Sequence, residues 1–436
     1  MESYNKLIDC LNHHIEPLAL AKDNAYASVL ENIGDKRFVL IGEATHGTEE
    51  FYQIRMDITR QLITEKGFMA VAIEADWPDV HGIYNYLQGD GPGEDAASAL
   101  NGFKRFPVWM WRNKTMPPFL HWLRHHNDPL TSPHKIGFYG LDIYSLNNSM
   151  QAVIDYLSRV DPDAAERAKT RYDCFDHTAV APQTYGYLTH LGIKKPCINE
   201  AVNVLLEMQH NAVKYLRKNG FKAAEDYYFA NENAAVIQDA EVYYRSMFEN
   251  SVSSWNVRDR HMMATLNRLA DHLEARFDKP ARIIVWAHNS HLGDARATEM
   301  SDRGEINLGQ LVREHDNTHS YTIGFSTYEG TVTAASEWGG MPQSRTIDPG
   351  IDSSYEQLFH ELDSKDFILY PSKSKELVHY LQLPRLQRAI GVIYRPDMER
   401  LSHYYFTRLP YQFDCLIHLD KTQALKPLLP QKTAAF

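Results

Sequence analysis

Residues 37–55 read RFVLIGEATHGTEEFYQIR, and this stretch decides the fold. Phe38–Ile41 is a short apolar run of the kind that forms a buried strand. Gly42–Thr48 is a polar turn with glycine at positions 42 and 47. From about Thr48 the period changes: Phe51, Ile54, Ile58 and Leu62 make one face of a helix running to Lys66, and Gly67 stops it. Met69–Ile73 is the next strand and ends at Glu74-Ala75-Asp76-Trp77-Pro78. Strand, helix, strand at this spacing is a βαβ unit with parallel strands, so both strands end on the same edge of one sheet. Glu43, His46 and Glu74 are therefore expected at that edge, where open α/β sheets bind ligands.

Working outward, the spacing predicts helices before Phe38, a helix over Val80–Leu87, a loop over Gly89–Glu94 and a helix over Pro117–Asn127. Lys135–Gly140 reads as a third strand that delivers Asp142 to the same edge. Between Ser149 and Asp278 apolar residues recur every three or four positions with no strand pattern. Strands resume at Arg282–Trp286, Tyr321–Phe325, Ile390–Tyr394 and Phe413–His418. The expected fold class is α/β: a central, mostly parallel sheet flanked by helices, with a helical region beside an active-site cleft. The expected organisation is 1–148 and 279–436 as two parts of one α/β core, with 149–278 as a helical insertion or lid.

Composition narrows the function. The 436 residues carry a net charge of −11 with no basic block, which argues against a nucleic-acid surface. Cys10, Cys174, Cys197 and Cys415 lie far apart and form no C-x-x-C pair, as expected in a reducing compartment. The N-terminal stretch has no apolar run or cleavage site, and nothing approaches the roughly 18 apolar residues of a membrane span. The expectation is a cytoplasmic protein; oligomeric state is not legible.

Each chemical candidate has a plainer alternative. His46 with Glu43 three residues earlier suits proton transfer near neutral pH, the carboxylate fixing the imidazole tautomer; the plainer alternative is a helix cap. Glu74 ends an apolar strand, where it either joins that pair or bonds a neighbouring helix. His288 and His291 follow a strand as H-x-x-H, with Asp294 nearby; this is not the H-E-x-x-H of metalloproteases. Arg55, two turns beyond His46, could bind a substrate oxygen or anchor Glu74. Phe103, Phe106, Trp109 and Trp111 are pocket or core residues. No G-x-S-x-G elbow, no P-loop and no G-x-G-x-x-G fingerprint is present, so activated water is favoured over a protein nucleophile. The same Glu43, Glu74, His288 and His291 could instead hold a divalent metal in a binding protein that turns nothing over.

Gly42-Glu43-Ala44-Thr45-His46-Gly47-Thr48, Ile73-Glu74-Ala75-Asp76-Trp77-Pro78 and Trp286-Ala287-His288-Asn289-Ser290-His291 resemble the erythromycin esterase family. So do the runs 105–113, 293–298 and 391–396. The resemblance implies an α/β body with a deep cleft and opening of an ester or macrolactone by a histidine-activated water. It implies His46 as the base, with Glu43, Glu74, Arg55 and His288 in the same cluster, and leaves metal open. Beside them, His291, Trp77, Trp109 and Asp142 are the expected substrate contacts. The segments around Trp77, Trp109 and Asp294 resemble a large branch of the family whose substrates are mostly undefined.

Overall fold

The computed structural model describes residues 2–20, 24–89, 95–175, 181–216 and 220–428. Its strands are β1 (Glu16–Pro17), β2 (Phe38–Ile41), β3 (Ala70–Asp76), β4 (Gly137–Asp142), β5 (Ile283–Trp286) and β6 (Ser320–Ala334). Then come β7 (Gln343–Ile347), β8 (Asp366–Leu369), β9 (Arg385–Arg388), β10 (Tyr404–Thr407) and β11 (Cys415–Thr422). One sheet runs β1-β8-β11-β6-β2-β5-β3-β4, with β7 pairing the far part of β6. The run from β11 to β4 is parallel throughout, while β1, β8 and β7 join antiparallel. β2 and β3 are parallel as expected but are not neighbours, because β5 pairs with both.

Alternation along β2 sorts the two faces. Val39 and Ile41 point to one side and pack with Phe51, Ile54, Ile58 and Leu62 of the helix Glu49–Lys66. Phe38 and Leu40 point to the other and pack with Met262, Leu266, Leu269 and Leu273 of the helix Ser251–Phe277. Burying such a side chain contributes about 1.5–3 kcal/mol, so both helices are anchored by their apolar stripes. Residues 146–246 form helices with no strand among the described residues, and most share a core built from Met150, Val153, Leu157, Val204 and Ile237. The segment Ser251–Phe277 instead lies on the sheet.

Some expectations are corrected. Ile390–Tyr394 is not a strand: Ile390 bridges Thr45 and Ile393 bridges Ala335 as isolated pairs. The segment crosses the 42–48 turn, taking the Ala44 carbonyl at 2.8 Å on its own Ile390 N–H. β1, β7 and β9 went unseen because they are very short or polar, as in Arg385-Leu386-Gln387-Arg388, and β8 and β10 are four-residue runs too short to show a period. β6 extends well past Phe325 because its second half, rich in threonine, pairs with β7 and β11. Cys174 and Cys197 form a disulfide across 23 residues, a pairing hidden by their sequence spacing; Cys10 and Cys415 are free and buried. Most of the expected loop over Gly89–Glu94 lies outside the described residues. Among the described residues no helix is long and apolar enough to cross a membrane.

Candidate active site

The parallel strand ends and the helix Ser251–Phe277 enclose a cavity of about 470 Å³. His46, Glu74, Asp142, His288 and His291 line it, together with Arg258. The turn after β2 is held by close packing. A Cβ at Gly47 would sit 1.9 Å from the Thr333 carbonyl oxygen, and one at Gly42 would sit 2.2 Å from Asn289 Oδ1. Glycine at both ends lets the turn press against β6 and the Asn289 side chain, which aims His46 into the cavity.

Glu43 and Arg55 lie beneath this surface, both fully buried. Glu43 Oε1 is 2.8 Å from His46 Nδ1 and its Oε2 is 2.8 Å from Arg55 Nη2. The Arg55 contact is a close ion pair without the alignment of a hydrogen bond, since among the described residues neither that oxygen nor that nitrogen has a geometrically good partner. The guanidinium is clamped between the Tyr52 and Trp286 rings, 4.3 and 5.2 Å from their centroids. With Nδ1 committed to Glu43, His46 turns Nε2 to the cavity, where among the described residues it has no hydrogen-bond partner. Burial alone would lower the His46 pKa; the Glu43 hydrogen bond and the nearby Glu74 charge outweigh it and raise the value.

Glu74, on the cavity wall, links Arg258 to the His288 backbone. Its Oε1 accepts from Arg258 Nη2 at 2.6 Å and its Oε2 from the His288 backbone N–H at 2.8 Å. Burial would raise this carboxyl, but the Arg258 guanidinium, the His46 ring and the His288 N–H hold it well below the ordinary carboxylate range. Arg258 also donates to Asp142 through Nε at 2.9 Å and Nη2 at 2.8 Å, and its Nη1 is 2.8 Å from His291 Nε2. An arginine can only donate, so His291 Nε2 accepts and its proton lies on Nδ1, toward Asp259 at 2.9 Å. The 3.4 Å approach of Glu74 Oε1 to His291 Nε2 is therefore not an ion pair. Trp255 stacks on the His291 ring at 4.4 Å.

His288 is neutral by the same reasoning. Its Nδ1 takes the Ser290 N–H at 3.2 Å and its Nε2 faces the Ala44 carbonyl at 3.2 Å. Burial and the neighbouring His46, 4.8 Å away ring to ring, push its pKa down to about 3.

The structure thus brings Glu43, His46, Arg55, Glu74, Asp142, His288 and His291 into one network. Trp77 is elsewhere: its helix starts at this residue, and the indole packs among Tyr139, Tyr228 and Phe229 with its N–H on the Phe229 carbonyl at 3.2 Å. Trp109 faces the core from a tight turn whose next residues, Met110 and Trp111, line the cavity with Phe103 and Phe106. Asp294 pairs with Arg296 and is not on the cavity wall. Arg55 does not reach the cavity either; among the described residues its carboxylate partner is Glu43.

Arg258 and Asp259 were missed, though a signal existed. Trp255, Arg258, Asp259, Met262 and Leu266 follow the stripe of a buried helix face, and two charges within such a stripe mark a polar junction. Asp79, also on the wall, is pushed up to about 7 by burial and by Asp76 beside it.

The four residues considered for a metal do not fit one as arranged. Glu43 is committed to His46 and Arg55, Glu74 to Arg258 and the His288 N–H, His288 to Ser290 and Ala44, and His291 to Arg258 and Asp259. A resident cation would have to displace a buried guanidinium. Among the described residues no group of three or more His, Cys, Asp or Glu is placed to hold a metal.

Comparison with known proteins adds the family. The chain is 23% identical to a putative hydrolase, YbfO, of Bacillus subtilis (strain 168), over 75% of this chain and 73% of that one. It is 23% identical to erythromycin esterase type II of Escherichia coli, over 69% and 71%. The fold matches a mutant of the erythromycin esterase EreC in its open conformation with a TM-score of 0.68 at 15% identity, covering 94% of this chain and 96% of that one. The erythromycin esterase family model matches residues 63–422, and the chain belongs to that family.

Proposed function

We propose that this protein is a carboxylic ester or lactone hydrolase in which His46 is the general base and water the nucleophile. One observation carries the reading: Nδ1 of His46 is fixed on Glu43 at 2.8 Å while Nε2 faces the cavity. That arrangement suits removal of a proton from water near neutral pH. Glu43 orients the ring and stabilises the imidazolium, and Arg55 holds Glu43. The oxyanion role falls to Arg258. A guanidinium has five N–H groups; Nε, one on Nη1 and both on Nη2 are committed, leaving one on Nη1 for the developing charge. Glu74 and Asp142 set its position. The helices between 149 and 278, as an insertion beside the cleft, would give the cavity its substrate preference. Its size suits a drug-sized ligand, and the names of the relatives make macrolactones the first compounds to assay.

Ser290 makes a serine nucleophile worth weighing, since its Oγ lies 2.8 Å from His288 Nδ1 on the cavity wall. A histidine with its pKa near 3 is a poor base, and among the described residues no carboxylate orients it. A binding protein without turnover would use the same cavity. The experiment is hydrolysis of a panel of macrolides and simple esters by wild type and His46→Gln. We expect a loss of about 10²–10⁴-fold with folding intact. Equal rates would refute the base assignment, and no hydrolysis by wild type would favour the binding protein.

A further inference from the structure

The helix Met116–Asn127 carries His121 and His125 one turn apart, on the same face and exposed to solvent. Their Nε2 atoms are 3.1 Å apart, with the rings at 88° to one another. One ring donates its N–H to the other, so an ion held by both nitrogens would take the place of that shared proton. This spacing, i and i+4, is that of the two histidines in the helical zinc motif H-E-x-x-H.

The distance can be tested against coordination geometry. With metal–nitrogen bonds of about 2.0–2.1 Å, two histidine nitrogens on one ion lie about 2.9 Å apart at a 90° angle and about 3.3 Å apart at the tetrahedral angle. The observed 3.1 Å falls between these values. On the far side of His125, Nδ1 is 3.5 Å from Asp128 Oδ2. That exposed carboxylate is an ion-pair neighbour rather than a hydrogen-bond partner; its charge favours the proton on Nδ1 and leaves Nε2 facing His121. Arg124, which donates to Asp128 Oδ1 at 2.8 Å, holds that carboxylate in place.

We propose that His121 and His125 form a surface chelate for a first-row divalent transition ion such as Ni²⁺, Zn²⁺ or Cu²⁺, with water filling the other positions. The site is separate from the catalytic cavity and stands whether or not the hydrolase reading does. Neutral imidazole suits these metals, while Mg²⁺ and Ca²⁺ prefer oxygen and are not expected to bind. Bridging two turns, the ion would resist fraying at the end of this helix and raise the melting temperature with the logarithm of ion concentration above Kd.

The test is calorimetric titration of the untagged protein with NiCl₂, with MgCl₂ as control, beside thermal melts with and without Ni²⁺. Wild type is expected to bind one equivalent that His121→Ala and His125→Ala each abolish, together with the Ni²⁺-dependent rise in Tm. Asp128→Asn should bind at most about fivefold more weakly, the worth of an exposed charge neighbour, while melting normally without metal. Both His variants lie on the exposed face, so loss of binding with an unchanged metal-free melt locates the ion. No nickel binding by wild type, or identical isotherms in wild type and both His variants, overturns the proposal.

Discussion

The buried pair Glu43–Arg55 makes a quantitative claim about how the site is held. Both side chains are fully excluded from solvent, and the carboxylate oxygen and guanidinium nitrogen are 2.8 Å apart. Removing one partner leaves an uncompensated charge in the core. For Glu43→Gln the stranded group is Arg55, which stays enclosed by Tyr52 and Trp286, and the expected loss is about 3–5 kcal/mol. Arg55→Met strands Glu43 less severely, because His46 remains as partner and can take up a proton. The double variant Glu43→Gln/Arg55→Met removes both charges and places a thioether between two rings that accept sulfur well. It should recover most of the loss and lie within about 1–2 kcal/mol of wild type. Denaturant unfolding of the four proteins closes the cycle, and the coupling should exceed about 1 kcal/mol, beyond the scatter of independent sites. Additive losses, with the double variant as unstable as the sum of the singles, would refute the idea that Arg55 serves mainly to neutralise Glu43. Activity separates the roles further: the double variant should be folded but slow, because His46 has lost the carboxylate that orients it.

Three more outcomes follow from the same geometry. His46 must be neutral to act as base and its pKa is raised, so kcat/KM should climb with pH through a midpoint above the ordinary 6.5; Glu43→Gln, which removes a raising group, should move that midpoint down, and a pH–rate profile reads both. Glu74 has a folded pKa below its unfolded value near 4.5, so its contribution is full above that value and lost as pH falls below it. Melts between about pH 6 and about pH 3.5 should therefore fall less steeply in Glu74→Gln than in wild type, and equal slopes would remove Glu74 from the acid-sensitive set. Arg258→Lys keeps the charge but not the fork that spans Asp142 and Glu74; kcat should drop roughly 10²–10³-fold with KM little changed, and a drop under about threefold would dismiss Arg258 as the oxyanion donor.

Much was readable without coordinates where the signal is local. The strand at Phe38–Ile41, the helix that Gly67 ends and the apolar run before Glu74 follow from periodicity alone. The Glu43–His46 contact is nearly as local, since three residues of turn bring the two side chains within reach. Parallel strands then carry Glu74, Asp142 and His288 to one edge, a consequence of topology that periodicity implies. What periodicity cannot supply is which of the polar groups face the cavity. Arg55 and Trp77 both stand close in sequence to cavity residues, yet one is clamped beneath the surface and the other packs on the opposite face of the sheet. Arg258 comes from a helix more than 180 residues after Glu74 and meets it only because the apolar face of that helix lies across the strands. Side-chain burial and partner choice depend on contacts between distant segments, and those contacts exist only once the chain has packed.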